Sequence, residues 1–406
     1  MTMTDTHAAA VASRHRELPL AALLLLAVIA LNLRPFLTSV GPVLDLLRAD
    51  TRLSLRAAAA MTALPFVLMG LLAFGGAALA RQIGERRTVA LALLLLASGC
   101  ATRAWVSGSA GLIASAAIAG AGVAAIQAVM PGVAKRLFPQ RIGLAMGVYS
   151  AALVGGGALG AIASPWLAQH GGWRLGLAAW SVPALGGMAL WLQQTDSNVP
   201  TTTQGADEAS LRRFATQRRA WLLVLYFGLT NSGYSTLVAW LPSFYREQGM
   251  AAQPAANLLA WMAVLQATAA LLLPLLSRQH GDRRPTLWLA LACQATGFAG
   301  LAWQPQLAPW CWAGLAGVGL GGFFSLSLIV VLEHLADARQ AGSLAAFVQG
   351  GGFLLAAAGP WLMGWLLEDG GRFTTGWCWH LGIVLAMALL TGRLSPASYQ
   401  RSMRRP

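Results

Sequence analysis

Arg81-Gln82-Ile83-Gly84-Glu85-Arg86-Arg87 returns 197 residues later as Arg278-Gln279-His280-Gly281-Asp282-Arg283-Arg284. Five of the seven positions are identical, and Asp282 keeps the charge of Glu85. Each copy lies between two long apolar runs, so the repeat marks a duplication. Other landmarks recur at nearly the same offset: Pro42 with Pro242, Gly120 and Gly122 with Gly317 and Gly319, Gly155-Gly156-Gly157 with Gly350-Gly351-Gly352, and Pro165-Trp166 with Pro360-Trp361. Two copies of one helical design make up the chain.

Between the landmarks the sequence is oily. Charged residues are 10% of the 406, hydrophobic ones 57%, and mean hydropathy is +0.60. A soluble chain carries about 25% charge, so this one belongs in a bilayer. Its net charge of +14 does not point to nucleic acid, because the basic residues are confined to short loops and form no solvated basic face. Cys100, Cys293, Cys311 and Cys378 are spread over apolar segments without paired spacing or a histidine cluster, which argues for packing and against metal. No cofactor is implied. The apolar run after residue 17 outlasts a signal-peptide core and reads as a retained first span.

About 20 apolar residues cross a bilayer as a helix, the form that satisfies its own backbone there. Such runs fall at 18–44, 56–80, 88–106, 110–134, 141–169, 174–194, 220–241, 255–277, 286–303, 308–332, 341–367 and 376–394. The expectation is an all-α polytopic membrane protein of twelve transmembrane helices in two pseudo-symmetric six-helix bundles, 18–194 and 220–394. The polar stretch 195–219 reads as a cytoplasmic linker, with cytoplasmic tails at 1–17 and 395–406. With the N-terminus inside, most of the 28 basic residues fall in inside segments, whereas Arg48, Arg52, Arg56, Arg103, Arg174, Arg246 and Arg372 fall outside. The positive-inside rule therefore places both termini in the cytoplasm.

Arg34 is the residue that asks for a reason, since an arginine inside a spanning helix costs about 2.5 to 3.5 kcal/mol even on the lenient insertion scale. Pro35 follows it and removes a backbone donor. One reading makes Arg34 a cation facing a central cavity, where its fork of donors holds a planar or anionic substrate. The other has it reach outward to water or satisfy carbonyls around Pro35. Polar residues near mid-depth complete a candidate substrate site: Gln127, Tyr149, Asn231, Tyr234 and Gln349, with Phe324 as an aromatic wall. Each alone also suits interhelical hydrogen bonding or packing. Asn231 and Tyr234 share a helix face, and Tyr234 stands 200 residues after Arg34, so the two are expected to face each other. The loops Gly84-Glu85-Arg86-Arg87 and Gly281-Asp282-Arg283-Arg284 suit either a gate latch or simple anchoring.

The duplicated six-span halves, the charged loops after spans two and eight, and the glycines and prolines of spans five and eleven resemble the major facilitator superfamily. Leu31-Asn32-Leu33-Arg34-Pro35, Thr38-Ser39-Val40-Gly41-Pro42, Gln127-Ala128-Val129-Met130-Pro131, Lys135-Arg136-Leu137-Phe138-Pro139, Gly171-Gly172-Trp173-Arg174 and Val238-Ala239-Trp240-Leu241-Pro242 resemble its cyanate and 2-nitroimidazole transporter family. The sequence departs from the family in having Gln127 where Asn is usual, and from the superfamily loop in having Ala80 where an Asp is usual. The resemblance implies alternating access around a midplane site for a small anion or dipolar compound, in a monomer of a bacterial-type inner membrane. Efflux of drugs or metabolites by the same fold is the alternative, and a sensor or a membrane-embedded enzyme the remote one. An enzyme would need a catalytic cluster at depth, whereas the histidines read as lying in tails, loops and span ends. With the acids placed likewise, transport is expected to be facilitated diffusion, exchange, or symport in which the solute itself or a peripheral group such as Glu333 or His334 takes the proton.

Overall fold

The computed structural model describes residues 20–138, 141–193, 208–277 and 281–403. The tail 1–17, linker residues 195–207, Arg278, Gln279 and His280 of the second loop, and residues 404–406 lie outside the described residues.

Every regular element among the described residues is a helix, as a chain without water around its backbone requires. Ten are long and apolar enough to cross a membrane. The remaining two expected spans explain their own absence from that set. The third, Glu85–Thr102, is 18 residues long and opens on three charges. The sixth is cut in two: the fifth span runs on to Gly171 and Gly172, whose non-helical backbone (φ 70° at Gly172) breaks Ile142–Ala178, and the chain then turns again before Ser181–Gln193. Leu71, Leu159, Leu185, Leu272, Leu289 and Leu389 are all exposed around the outside, the surface lipid covers.

Packing repeats the sequence duplication. The second span (Leu55–Ile83) packs on the fourth (Ser109–Leu137), as the eighth (Ala252–Ser277) does on the tenth (Pro309–Glu333). The third packs on the fourth and sixth, and the ninth (Arg284–Trp303) on the tenth and twelfth (Phe373–Thr391). The first pairs with the fifth, and the seventh (Arg218–Glu247) with the eleventh, which is built of Ala338–Ala356 and Ala358–Glu368. Between halves the partners are exchanged, second with eleventh and fifth with eighth.

Lipid supplies little hydrophobic force between helices, so association rests on close packing and interhelical hydrogen bonds. Both devices sit at equivalent crossings. A side chain at Gly156 would collide with the Leu31 carbonyl, and one at Gly359 would stand 2.5 Å from the Ser232 carbonyl. Thr38 Oγ1 donates to the Gly157 carbonyl at 2.8 Å, and Ser235 Oγ to the Ala356 carbonyl at 2.6 Å.

The first span is where symmetry fails. It is helical over Leu20–Leu31, turns at 32–34, resumes over Pro35–Thr38, passes through a 3-10 turn at Gly41–Val43, and finishes as Leu44–Thr51. Two prolines cause this, since neither Pro35 nor Pro42 has an N–H to give to the preceding turn. The seventh span carries Pro242 but has Ser235 where Pro35 stands, and it runs unbroken.

Candidate substrate site

Arg34 sits at the break, just before Pro35, with its backbone carbonyl capping the short helix: Leu37 and Thr38 N–H both donate to it. Its side chain crosses to the other half, where Nη1 donates to Tyr234 Oη at 2.8 Å, and the guanidinium carbon lies 5.1 Å from the Tyr234 ring centre. Hydrogen bond and cation–π contact together tie a cation of the first half to the middle of the seventh span. Arg34 has no carboxylate partner among the described residues, and its Nε is buried without a hydrogen bond. Tyr149 of the fifth span is buried too; its hydroxyl has no partner among the described residues and feels the charge of Arg34. A guanidinium with an unclaimed N–H, next to an unclaimed phenol, is a donor set suited to a small anion.

The other expected site residues divide. Asn231 is 7% exposed and spends Nδ2 on the Phe227 carbonyl of its own helix at 2.7 Å. Gln127 and Gln349 are half-buried, with no side-chain hydrogen bond described. Phe324 stacks at a tilt on Phe227, ring centres 5.6 Å apart, and Phe227 leads through Phe353 to Phe66 and Tyr234. An aromatic wall thus reaches the Arg34 contact, with Phe324 at its far end.

Both charged loops bond within their own halves. Gly84 turns with a positive φ of 86°, a conformation open to glycine, and sets Glu85 in an ion pair with Arg136 at the end of the fourth span. Arg86 donates to the Leu192 carbonyl and accepts from Trp191 through its own, while Arg87 is exposed. In the second half Arg283 pairs with Glu333 at 2.9 Å, and Arg284 pairs with Asp282 at 2.6 Å and donates to the Gly392 carbonyl. Those hydrogen bonds from Arg284 hold the Asp282 carboxyl below its usual range. Gly281 is exposed beside them. Arg136 and Glu333 are 197 residues apart, so the two loops make the same bridge with opposite polarity.

The halves are bridged by charge at the opposite end. Asp45 pairs with Arg246 at 3.1 Å and Arg56 with Asp369 at 2.6 Å, while Glu368 accepts from the Arg56 backbone N–H at 2.7 Å. That last contact sets a carboxylate on the N-terminus of the second span, where the helix dipole favours it. Leu44, Asp45, Arg48, Trp240, Ser243 and Arg246 line part of a cavity of about 170 Å³ there.

Two residues escaped the sequence reading. Arg103, counted among outside loop charges, is 0% exposed and donates through Nη1 to the Phe36 carbonyl at 3.0 Å. His380, counted among span ends, lies inside Phe373–Thr391, 2% exposed, with Nε2 2.9 Å from Thr236 Oγ1. Thr236 Oγ1 also lies 2.8 Å from the Ser232 carbonyl, and with its hydroxyl given there its oxygen is placed to accept from His380 Nε2–H. A histidine at depth is therefore present after all. The peripheral His334 is already engaged: Nδ1 donates to the Val330 carbonyl at 2.6 Å, Nε2 accepts from Arg219 at 3.1 Å, and Tyr399 stacks on the ring.

Two pseudo-symmetric helical halves meeting at a mid-span cation are the architecture of a membrane transporter. The chain belongs to the major facilitator superfamily, whose family model matches residues 20–360. It is 45% identical over 382 residues to the cyanate transport protein CynX of Escherichia coli strain K12, covering 93% of this chain and 98% of that protein. To the 2-nitroimidazole transporter of the same organism it is 31% identical over 348 residues, with 85% and 88% covered. Among solved structures it resembles the nucleoside transporter NupG (TM-score 0.72, 13% identity, 92% of this chain and 98% of that one) and a D-xylose-proton symporter (TM-score 0.71, 16% identity, 92% and 97%). The protein is a multi-pass membrane transporter of a small solute.

Proposed function

We infer that the solute is a small monovalent anion of the cyanate type, held at mid-depth by Arg34 Nε–H and the Tyr149 hydroxyl, with Tyr234 closing from the other half. The observation that carries this reading is the pair of buried, unclaimed donors on and beside an arginine that lacks a carboxylate partner among the described residues. Such a cation is costly until an anion neutralises it. The strong similarity to a cyanate transport protein supports the same class. Gln127, Asn231, Gln349 and Phe324 line the path or shape its walls.

Transport in this reading is alternating access. The halves 18–194 and 220–394 rock about the crossings of the first and fifth spans and of the seventh and eleventh. The Asp45–Arg246 and Arg56–Asp369 pairs latch the outer end, and the Gly84 and Gly281 loops act at the cytoplasmic end. Both termini and residues 195–219 are cytoplasmic, in a bacterial-type inner membrane. The protein works as a monomer, without nucleic acid and without enzymatic activity of its own.

The aromatic run from Phe324 to Tyr234 favours one second reading, a flat nitro-heterocycle stacked on that wall with its nitro oxygens on Arg34. Uptake of labelled cyanate into proteoliposomes, with 2-nitroimidazole as competitor, tests both. Saturable cyanate uptake that is lost in Arg34→Ala supports the anion reading. Nitroimidazole uptake with no cyanate uptake replaces it with the second.

A further inference from the structure

The break in the first span leaves backbone acceptors without their usual intrahelical donors. Pro35 cannot bond the Leu31 carbonyl, and Pro42 cannot bond that of Thr38. The Val40 N–H turns to Leu37 at 3.4 Å, which leaves the carbonyl of Phe36 to side chains, and Ser39 Oγ reaches it only at 3.4 Å. Arg103 takes up that last one. Its Nη1 donates to Phe36, and its Nε donates at 3.2 Å to Ser115 Oγ, whose own hydroxyl is committed to the Leu112 carbonyl. One side chain thus pins the first span to the third and fourth, two residues beyond Arg34.

We propose that Arg103 is the positioning residue of the substrate site: it fixes Phe36, and through the rigid Pro35 it fixes the direction in which Arg34 leaves the backbone. This rests on the reading of Arg34 as the anion-holding group.

Three observations support the assignment. The location stabilises a cation, because Arg103 caps the C-terminal end of Glu85–Thr102, where its backbone N–H bonds Cys100 and Ala101 carbonyls and the helix dipole is negative. A neutral donor could cap one carbonyl; Arg103 brings a further charged donor, for its Nη2 is buried with no partner among the described residues. The duplication supplies the control. The seventh span keeps Ser235 where Pro35 stands, stays helical throughout, and the corresponding end of the ninth span, Gly300-Leu301-Ala302-Trp303, carries no basic residue. The buried arginine accompanies the break and the substrate-facing cation, in the same half.

The test uses the full-length protein in proteoliposomes, with Arg103→Leu, Arg103→Gln and Arg103→Lys. Two quantities are read: the KM and maximal rate of cyanate uptake, and amide hydrogen exchange over residues 36–43, which needs no solute. Arg103→Leu is expected to speed exchange in 36–43 at least tenfold and to raise KM at least tenfold. Arg103→Lys, which still offers a charged donor, should recover much of both, and Arg103→Gln should recover exchange more than KM. If Arg103→Leu fails to fold, the Lys and Gln variants decide. Wild-type exchange and wild-type KM in the variants that fold overturn the proposal. Should the wild type fail to take up cyanate, the anion reading falls, and faster exchange in 36–43 still upholds the role of Arg103 in setting the geometry around Arg34.

Discussion

Asp45 and Arg246, 201 residues apart in sequence, form an ion pair that closes one end of the molecule across the two halves. Both side chains are partly exposed, as are Arg56 and Asp369 beside them. Exposed pairs contribute about 0.2 to 1 kcal/mol each, enough together to bias a two-state equilibrium without locking it. Asp45→Asn combined with Asp369→Asn should therefore raise the population open at that end roughly two- to thirtyfold. The readout is the labelling rate of a cysteine at Ser243, which lines the cavity beneath the pairs, in a protein freed of its native cysteines. An unchanged rate would remove the latch from the mechanism.

Orientation follows from the same labelling. A cysteine at Ser243 should react with an impermeant reagent added to intact cells, and one at Thr202 should not. Reaction at Thr202 would turn the molecule over.

Arg34→Ala is expected to cut cyanate uptake by at least about 100-fold while the protein still inserts and folds, since charge-assisted hydrogen bonds are worth roughly 1.5 to 3 kcal/mol each. Arg34→Lys should recover little, because a point charge cannot reproduce the fork. Tyr234→Phe removes the acceptor for Arg34 but keeps the ring under it, so KM should rise only about tenfold, and Asn231→Ala should do less. Uptake at the wild-type rate in Arg34→Ala would make the arginine structural.

His334 is held neutral. Burial, with a smaller contribution from nearby Arg219, pushes it down to about 4. Because the folded pKa lies below the unfolded value near 6.5, the stability this residue contributes is present above pH 6.5 and is lost as pH falls toward 4. Reactivity of a cysteine at Ser402, beside the Tyr399 that stacks on the imidazole, should increase over that window, and His334→Asn should flatten the change. Near neutral pH the same substitution should leave the pH profile of uptake unaltered; a shifted profile would make His334 the carrier of a coupling proton.

Counterflow of cyanate without a pH gradient should proceed, because among the described residues no carboxylate lies at mid-depth. His380 is the one place where this expectation meets resistance. Strict dependence on an imposed proton gradient that disappears in His380→Asn would assign the coupling step to the His380–Thr236 contact.

Fold and site were legible to different degrees. Apolar run length and the repeated Arg-Gln-x-Gly-acid-Arg-Arg loop carried the helical architecture, because bilayer thickness turns composition directly into geometry. Arg34 announced itself by cost, and the 200-residue offset led to Tyr234. Arg103 and His380 were hidden for a shared reason. Each lies close to where an apolar run ends, and which side of such an end is buried depends on tilt, breaks and neighbouring helices. The need for Arg103 arises only once the first span is seen to open at Phe36, a consequence of where Val40 sends its N–H.

The contact of Arg34 with Tyr234 also bears on how such a molecule could have arisen. A dimer of two identical halves would set guanidinium against guanidinium at that spot, and like charges about 4 Å apart repel by about 4 kcal/mol at an effective dielectric of 20. Strict duplication of Arg34 would therefore set the two halves against each other at this spot. Divergence at one position, a phenol in one copy facing a cation in the other, relieves the repulsion and replaces it with a hydrogen bond across the two halves.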